Sequence, residues 1–490
     1  MGWPWPEEFP ETAGLLDFYN PTSVLSTARE IITLWVSRMV MFNRYFLNGR
    51  LPFKDVFIHA MVQDGHGQKM SKSLGNGVDP RDIIFSHGAD AMRFTLVQMT
   101  TDTQDVRMPV EMVCPHSGIS FEPEFVRTQA GHLVAAPIQV SPQDDSKQMV
   151  SAYGAASGVV EPNKQTPLAR NTSSKFDLGR NFANKLWNAT RFALNRIDEG
   201  LVSNIELANR PFIDKWIFAR LDETVQKLEE SIGKYQFNIF ADTLYDFVWH
   251  DVCDRYLEAV KPSIDSDPEQ QMVLANLLNA VLRIMHPVCP FVTEALWPHV
   301  RQATSSTIRG VELPDTEILA NASWPKIEIT QSLSASLIGD FNSADQLVSL
   351  IRSTRAEQKV KPKQTIELYA PDPVLDLLDR VNGYVQILAG IGEVKPLLEA
   401  PSGDSTVITF EGTEIKISGL NSDIDLNAQK IRLEKLIVDK EKQINGFKGR
   451  LSNEGYLSNA KPEIIEETRN LLALAEADLE AAQSSLANLD

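Results

Sequence analysis

The stretch His66-Gly-Gln-Lys69-Met-Ser-Lys72-Ser-Leu-Gly-Asn-Gly-Val-Asp-Pro80 carries two lysines three residues apart in a run rich in serine and glycine. A short apolar run, residues 56–62, precedes it and predicts a buried strand that leads into this loop. Small residues let the backbone approach an anion, and lysine is a mobile point charge that can follow charge shifting between phosphate oxygens. The pattern indicates a candidate polyphosphate site, although Lys-x-x-Lys alone is more typical of an exposed basic loop. We call residues 64–80 the lysine loop.

The segments around the lysine loop predict an α/β domain over residues 1–108. Residues 31–40 are apolar nearly all round, which predicts a buried helix. Beyond the loop, residues 109–174 are rich in serine, glutamine, proline, glycine and alanine, with no sustained period. This composition predicts an insertion or long linker that is partly disordered.

One short motif in this insertion, Cys114-Pro-His116-Ser-Gly, resembles a knuckle of a zinc ribbon. A structural zinc ion needs four ligands, normally from paired knuckles. Within residues 109–174 there is no second cysteine, and His132 is the one further histidine. We therefore expect a degenerate remnant and no metal site.

Apolar residues recur at spacings of three and four from residue 175 to about 302, which predicts an all-α bundle in a domain spanning 175–330. The repeats are Ile213, Ile217, Leu221, Val225 and Leu228; then Phe240, Leu244, Phe247, Val248, Val252 and Tyr256; then Leu274, Leu277, Leu278, Val281, Leu282 and Met285. Pro287 and Pro290 prevent the last helix from continuing, and a short helix is expected over residues 291–297. The tryptophans here are more typical of bundle core than of base stacking: Trp187, Trp216, Trp249 and Trp297.

The last two segments differ in pattern. Residues 331–425 predict a small α+β domain, with a helix over 341–358 and strands over 366–369, 407–410 and 415–417. Residues 426–490 carry apolar positions at heptad spacing: Leu433, Ile437, Lys440, Ile444, Phe447 and Leu451, then Ile465, Leu472, Leu479 and Leu486. A turn over 452–462 separates a mainly basic helix from a mainly acidic one, which predicts an antiparallel coiled coil.

The composition limits the class of protein. A chain of 490 residues is long enough for two to four domains, and no apolar run could span a membrane. Three widely spaced cysteines exclude a disulfide framework, and the first residues do not form a secretory signal, so we expect a cytoplasmic protein. The formal net charge of -18 argues weakly against general nucleic-acid affinity, yet two basic clusters occur over residues 175–196 and 352–363. Each cluster could contact phosphate or simply face solvent.

The lysine loop and three further segments resemble class I aminoacyl-tRNA synthetases and, within them, the valyl-tRNA synthetase family. The loop carries the KMSKS signature in the extended form found in the isoleucine, leucine and valine subgroup. The other segments are Phe18-Tyr-Asn-Pro-Thr-Ser-Val-Leu25, Phe182-Ala-Asn-Lys-Leu-Trp-Asn-Ala-Thr-Arg-Phe192 and Leu451-Ser-Asn-Glu-Gly-Tyr-Leu457. The resemblance implies a multidomain chain: part of a Rossmann-type α/β catalytic fold, an all-α anticodon-binding bundle, a small α+β linker domain and a coiled-coil tRNA-binding arm.

The resemblance also implies an activity, which is ATP-dependent ligation of L-valine to valine tRNA through a valyl-adenylate, by a monomer, with Mg²⁺ accompanying ATP. Carried over by position, Lys72 is the main catalytic contact to ATP, Lys69 is the second catalytic lysine, and Met70, Ser71 and Ser73 complete the ATP-binding loop.

Expectations for four other positions follow from the same resemblance. Glu30 is a candidate for binding the ATP ribose, with a favourable charge at a helix N-terminus as the alternative. Asp90 and Arg93 are expected to support the loop rather than to catalyse. Gly77 stands where valine or isoleucine often occurs, so a looser exit from the loop is expected.

Two parts of such an enzyme are not found in the sequence. None of the eight histidines forms a His-x-Gly-His pair, so the HIGH motif is absent, and no editing domain is present. We therefore expect the chain to start inside the catalytic fold, to be inactive by itself and to expose an apolar face. Either the chain is a fragment, or a separately encoded N-terminal half completes the enzyme. The alternative function is a non-catalytic tRNA-binding module, or a decayed fragment, derived from the synthetase.

Overall fold

The structure, a computed structural model, describes residues 8, 10, 14–101, 105–197, 204–304, 307–328, 331–361, 363–401, 405–420, 426–453, 456 and 462–487. The chain divides into two units. Unit 1 comprises Met1–Ile205, Leu221–Asp254 and Asp267–Ile327, and unit 2 comprises Glu206–Arg220, Arg255–Ser266 and Glu328–Asp490. In the part of the chain that is described, no helix is long and apolar enough to cross a membrane.

Unit 1 begins with short parallel strands joined through helices. β1 (Thr22–Ala28) pairs with β2 (Phe53–His59), and β3 (Val62–Asp64) pairs with β4 (Val106–Met108), both in parallel. The accompanying helices are α1 (Leu15–Tyr19), α2 (Ser37–Phe46), α3 (Pro80–His87) and α4 (Ala89–Gln98), with a 3-10 turn at Arg29–Ile31 and a π-helical turn at Ile32–Val36. Parallel strands connected through helices agree with the predicted α/β architecture. The single strand predicted over 56–62 is interrupted at residues 60–61 and forms parts of β2 and β3.

The helix predicted to be buried, residues 31–40, lies largely at the surface of unit 1. Val36 is buried, whereas Leu34 and Trp35 are 55% and 42% exposed. Exposed apolar side chains continue along α2, and we call this set the apolar face: Leu34, Trp35, Met41, Phe42, Tyr45 and Phe46. β2 likewise exposes Val56 and Ile58. The prediction of burial was wrong because an apolar sequence shows what an element can bury, whereas burial needs a second layer, and the described residues supply none here.

Residues 111–172 are folded, so the predicted disorder of this segment was also wrong. The strands are β5 (Glu111–Val113), β6 (Ser120–Phe121), β7 (Phe125–Arg127), β8 (Leu133–Ala135), β9 (Ile138–Ser141), β10 (Asp144–Val150) and β11 (Arg170–Thr172), with a short helix α5 (Ala152–Ala156). A small core of Met112, Cys114, Met149 and Ala169 holds them together. Strands of two to seven residues are too short to show a period, and their many turns account for the polar composition. We call residues 111–172 the β module.

The helical bundle follows the predicted periodicity. Its helices are α6 (Phe176–Leu194), α7 (Phe212–Gly233), α8 (Phe237–Tyr245), α9 (Leu257–Val260), α10 (Pro268–Met285) and α11 (Pro290–Ala303), with a π-helical segment at Asp246–Tyr256. All of the predicted repeat residues from Ile213 to Met285 are buried. α10 ends at Met285, as predicted from the two prolines, and α11 extends beyond the predicted short helix. Trp216 and Trp297 are buried as predicted, whereas Trp187 is exposed.

Unit 2 contains a four-stranded sheet with the order β13-β12-β15-β14. The strands are β12 (Ile366–Ala370), β13 (Ile391–Pro396), β14 (Thr406–Phe410) and β15 (Thr413–Ser418), and the helices are α12 (Gln331–Glu357), α13 (Asp372–Arg380) and α14 (Tyr384–Ala389). The three predicted strands are confirmed, and β13 was missed. The basic cluster over 352–363 is only partly a surface feature, because Arg355 is buried and donates to the carbonyls of Gly390, Lys361 and Gln364.

Two long helices end unit 2, α15 (Leu426–Leu451) and α16 (Pro462–Ala487). They lie antiparallel, since Lys440 and Lys448 form ion pairs with Asp478 and Glu476 at 2.6 and 2.7 Å. On α15 the predicted seam positions 437, 440, 444, 447 and 451 are buried or half-buried, whereas the side chain of Leu433 lies outside the described residues, as does most of the predicted turn. On α16 the most buried positions are Thr468, Ala475 and Ala482, which alternate with the predicted Ile465, Leu472, Leu479 and Leu486. Asp478 also accepts from Gly412 N at 2.8 Å, which fixes α16 to the β14–β15 turn.

Candidate functional site

The lysine loop starts as a tight turn at the end of β3. Asp64 N donates to Gln68 O at 2.9 Å, and Gln63 and Lys69 form an antiparallel bridge across the turn. Gly67 has a φ of 78°, in the left-handed region that favours glycine, so this position needs its glycine. The turn places Lys69 opposite the strand and directs the rest of the loop away from it.

Asp64 is the centre of the loop's hydrogen bonds. Its buried carboxylate accepts from His66 N, Gln68 N, Gln68 Nε2 and Asn76 Nδ2, at 2.8 to 3.0 Å. Burial alone raises the pKa of Asp64, but the hydrogen bonds from Asn76, Gln68 and His66 outweigh it, so this pKa lies below its ordinary value. The carboxylate therefore stays ionised at neutral pH and joins the start of the loop to Asn76 near its end.

Asn76 completes this internal framework. Its side-chain oxygen accepts from Ser71 N at 2.9 Å, and its amide nitrogen donates to Lys69 O at 3.2 Å as well as to Asp64. Ser71 Oγ in turn lies 3.2 Å from both Ser73 Oγ and Leu74 N. The KMSKS segment is thus held from inside by one amide side chain, a role that the sequence reading did not assign to Asn76.

The two candidate catalytic lysines point outward from this framework. Lys69 and Lys72 are exposed, and Lys69 Nζ forms an ion pair with Glu30, which lies in the 3-10 turn directly after β1. The structure therefore brings together Glu30 and Lys69, two of the residues predicted for the ATP site. Lys72 makes no ion pair with any residue in the described ranges. An exposed ion pair contributes at most about 1 kcal/mol, so Lys69 can exchange Glu30 for a phosphate at little cost.

The far side of the lysine loop packs into a small core. Met70 and Val78 contact a cluster of Ile83, Met108 and Phe176. Asp79 caps the N-terminus of α3 by accepting from Arg81 N at 2.9 Å. The lysines are therefore presented on a loop whose opposite side is anchored.

Asp90 and Arg93 lie on α4, away from the lysines. Asp90 accepts from Phe291 N and Val292 N at the start of α11, at 3.0 and 2.6 Å, and Arg93 donates to the carbonyls of Pro287 and Val288. These contacts join α4 to the bundle, and the predicted role of Asp90 and Arg93 in supporting the loop stays a prediction. α4 also crosses α6 very closely at Gly179, where an added Cβ would lie 2.6 Å from Ala91 O.

The candidate zinc ligands Cys114, His116 and His132 do not form a metal-binding cluster in the described part of the chain. Cys114 is buried in the core of the β module and its Sγ donates to Ser141 Oγ at 3.4 Å. His116 instead lies 3.0 Å from the carbonyl of Gln148. Among the described residues no group of three histidine, cysteine, aspartate or glutamate side chains could hold a metal ion.

The sequence of the chain is similar to that of known proteins. Three family models match the chain: tRNA synthetases class I (I, L, M and V) over residues 3–109, the anticodon-binding domain of tRNA ligase over 214–370, and the valyl tRNA synthetase tRNA binding arm over 425–490. A valine–tRNA ligase of Rhodopirellula baltica is 36% identical over 99% of this chain, and one of Thermotoga maritima is 30% identical over 99%. The chain belongs to the valyl-tRNA synthetase family. It spans 46% of the length of each of these two relatives.

The chain also shows a weak likeness to one solved structure. It is a leucyl-tRNA synthetase of Agrobacterium radiobacter K84 in a ternary complex with tRNA and LeuAMS. The match has a TM-score of 0.40 and 18% identity, and it covers 64% of this chain and 29% of that chain. The match to the model for class I tRNA synthetases ends at residue 109, directly before the β module.

Proposed function

We propose that the chain is part of an enzyme that ligates L-valine to valine tRNA with ATP. The observation that carries the proposal is the lysine loop, which an internal framework holds so that Lys69 and Lys72 face outward, with Lys69 paired to Glu30. The valine carboxylate attacks the α-phosphorus of ATP, the bond to the pyrophosphate oxygen breaks, and valyl-adenylate forms. A ribose hydroxyl at the end of the tRNA then attacks the valyl carbonyl and displaces AMP.

Within this reaction the two lysines act on the leaving pyrophosphate. Negative charge builds up on the bridging and terminal phosphate oxygens as the bond breaks, and an ammonium group aimed at them stabilises that charge. Lys72, which has no competing ion pair in the described part, makes the main contact, with Ser71, Ser73 and Met70 shaping the loop around the phosphates. Mg²⁺ enters with ATP as part of the substrate. When Lys69 moves to the phosphates, Glu30 is released to accept a hydrogen bond from the ATP ribose.

We further propose that the apolar face is covered by the remainder of the catalytic fold. That part carries the HIGH element, which is not found in this sequence, and the chain spans about half the length of its relatives. A helix that exposes Phe42, Tyr45 and Phe46 side by side, next to an open parallel sheet edge, fits a partner that adds strands and a second apolar layer. The three cysteines, all buried and free, fit action in a reducing cytoplasm, and we propose that one such assembled unit acts as a monomer.

The test is valine-dependent exchange between ATP and pyrophosphate. The chain alone should show no exchange, and adding a polypeptide with the family's HIGH-bearing half should restore it. Phe42→Ser should reduce that restoration at least about 10-fold, because it places a hydroxyl in a hydrophobic interface. Phe85→Ser is the matched control, since Phe85 on α3 is 82% exposed and lies outside the apolar face. Exchange by the chain alone would refute the need for a partner, and no exchange with the added half would favour a non-catalytic tRNA-binding module.

The bundle and the two terminal helices are the proposed tRNA-binding parts. On α6, Trp187 and Arg191 are exposed, as is Lys175 directly before the helix, whereas Lys185 is paired with Asp254 and lies over the Trp249 ring. On α15, Lys435, Lys442 and Arg450 are exposed. The exposed lysine and arginine side chains supply local positive charge for contact with phosphate, although the net charge of the chain is negative.

Filter binding with valine tRNA across a salt series tests this second part. The affinity should fall steeply as salt rises, because each phosphate contact releases counterions. The double variant Lys442→Ala, Arg450→Ala should reduce the slope of log affinity against log salt by about 2. Lys164→Ala, on an exposed loop of the β module, should leave the slope unchanged. A salt-independent affinity, or equal slopes for the double variant and the parent chain, would rule out phosphate contacts by α15.

A further inference from the structure

The β module touches the lysine loop at its exit. Asn171, in β11, donates from its amide nitrogen to Gly75 O at 2.9 Å and to Gly77 O at 2.7 Å. Asn171 is buried, and its strand is fixed in the module by antiparallel pairing with β5. One side chain of the module therefore binds two carbonyls on either side of Asn76, the residue that holds the KMSKS segment from inside.

A second contact joins the module to the start of the loop. The Gln68 side chain donates to Leu133 O at 2.6 Å and accepts from Leu133 N at 2.8 Å, so it pairs with β8 like an additional strand residue. The same amide nitrogen donates to Asp64, and the His66 ring stands edge-on to the Phe125 ring at 4.7 Å. The two ends of the loop framework, Gln68 and Gly75, are thus both attached to the module.

The backbone at Gly75 lies directly against the module. Its φ is 57°, and an added Cβ would lie 2.2 Å from Tyr153 N at the start of α5. Between these attachment points a cavity of about 240 Å³ remains, lined by Gly65, Asn76, Met112 and Phe125 among others. The loop is therefore attached to the module at separate points, which are the hydrogen bonds of Asn171 and Gln68 and the close approach at Gly75.

We infer that the β module holds the lysine loop in its shape and that Asn171 is a positioning residue for the KMSKS segment. The path runs from Asn171 to the Gly75 and Gly77 carbonyls, then through the intervening Asn76 to Ser71 N and Lys69 O. Asn171 sets where the two ammonium groups stand without touching the nucleotide. The inference deepens the proposed function, but its structural part can be tested without any catalysis.

Trypsin provides the structural test, because it cleaves after Lys69 and Lys72. In the full chain, Asn171→Ala should increase the cleavage rate at these two bonds about 10- to 30-fold, which is the change in open population expected when two hydrogen bonds are lost. Asn171→Asp, with the same shape but no amide donors, should behave like the alanine variant. Asn163→Ala is the matched control, since the Asn163 side chain likewise makes two hydrogen bonds to backbone, as the acceptor from Gln165 N and Thr166 N, and both lie within the module.

Two further measurements keep the result interpretable. Hydrogen exchange at the Met112 and Met149 amides reports whether the module itself stays folded in each variant. In the reconstituted enzyme, Asn171→Ala should raise the KM for ATP at least about fivefold while the KM for valine stays constant, a split that a loss of folded protein does not produce. The inference would be overturned if a folded Asn171→Ala variant were cleaved at the same rate as the parent chain. It would also be overturned if Asn163→Ala increased the cleavage rate as much as Asn171→Ala does. Faster cleavage with an unchanged KM for ATP would support the role of Asn171 in positioning the loop but would contradict the proposal that the loop binds ATP.

Discussion

Replacing Lys72 by alanine is expected to lower the rate of valine-dependent pyrophosphate exchange about 100- to 1000-fold in the reconstituted enzyme. This is the usual effect of removing one group that stabilises charge formed only in the transition state. The loss should appear mainly in kcat, because most of the charge that Lys72 stabilises forms in the transition state, and its ground-state contact with the ATP phosphates should add a smaller rise in the KM for ATP. Exchange kinetics over a range of ATP concentrations measure both quantities.

Three variants control this result. Lys69→Ala should cost less, about 10-fold, because Lys69 must first leave its ion pair with Glu30. Lys72→Arg should recover only part of the activity, since a planar guanidinium does not replace a compact ammonium group. Lys164→Ala removes an exposed lysine elsewhere in unit 1 and should stay within twofold of the parent. A loss smaller than about threefold for Lys72→Ala would show that the loop does not contact the reacting phosphates.

Gly179→Ala is expected to lower the free energy of unfolding by about 3 kcal/mol. The new methyl group would lie 2.6 Å from Ala91 O and 2.9 Å from Ala91 Cα, so α4 and α6 must separate. Overpacking of this kind typically costs about 1 to 3 kcal/mol, and here the opposing atoms belong to helix backbone, which cannot rotate away. The same shift should move α4 against the start of α11, where Asp90 makes its two hydrogen bonds.

Urea unfolding measures this change, and Gly339→Ala is its matched control. Gly339 is exposed within α12, with no atom within 4 Å of an added Cβ, so the same substitution should stabilise by up to about 1 kcal/mol through helix propensity. If the two Gly→Ala substitutions change the free energy of unfolding in opposite directions, the difference between them measures the contribution of close packing at Gly179. Equal stability of the Gly179→Ala protein and its parent would mean that the two helices do not approach each other as described.

The sequence was most informative where the signal is local and repeated. The faces of α7, α8 and α10 and the seam of α15 were predicted because each residue's environment repeats every three or four positions. On α16 the same logic found the leucine positions but not Thr468, Ala475 and Ala482, since small or polar residues carry no apolar signal. Strand β13 was missed for a similar reason, because an edge strand with a polar face shows little alternation.

Interactions between distant segments could not be predicted in this way. Asn171 lies more than 90 residues from Gly75 and Gly77, and nothing near it in the chain marks it as a partner of the loop. Burial of residues 31–40 was mispredicted because it depends on neighbours that the described residues do not include. The pairing of Glu30 with Lys69 was accessible only through family resemblance, which placed both residues in one site before any distance was known.

Under the proposed function, the exposed aromatic rings of α2 link the stability of this polypeptide to the amount of the polypeptide that covers them. A protein that binds only the folded form raises the melting temperature by mass action, and the gain grows with the logarithm of its free concentration. The melting temperature of the chain would therefore report the free concentration of the other polypeptide. If the two polypeptides were made in unequal amounts, the surplus copies of this chain would expose apolar surface to one another. Aggregation of these copies, rather than the rate of the reaction, would then limit the amount of assembled enzyme.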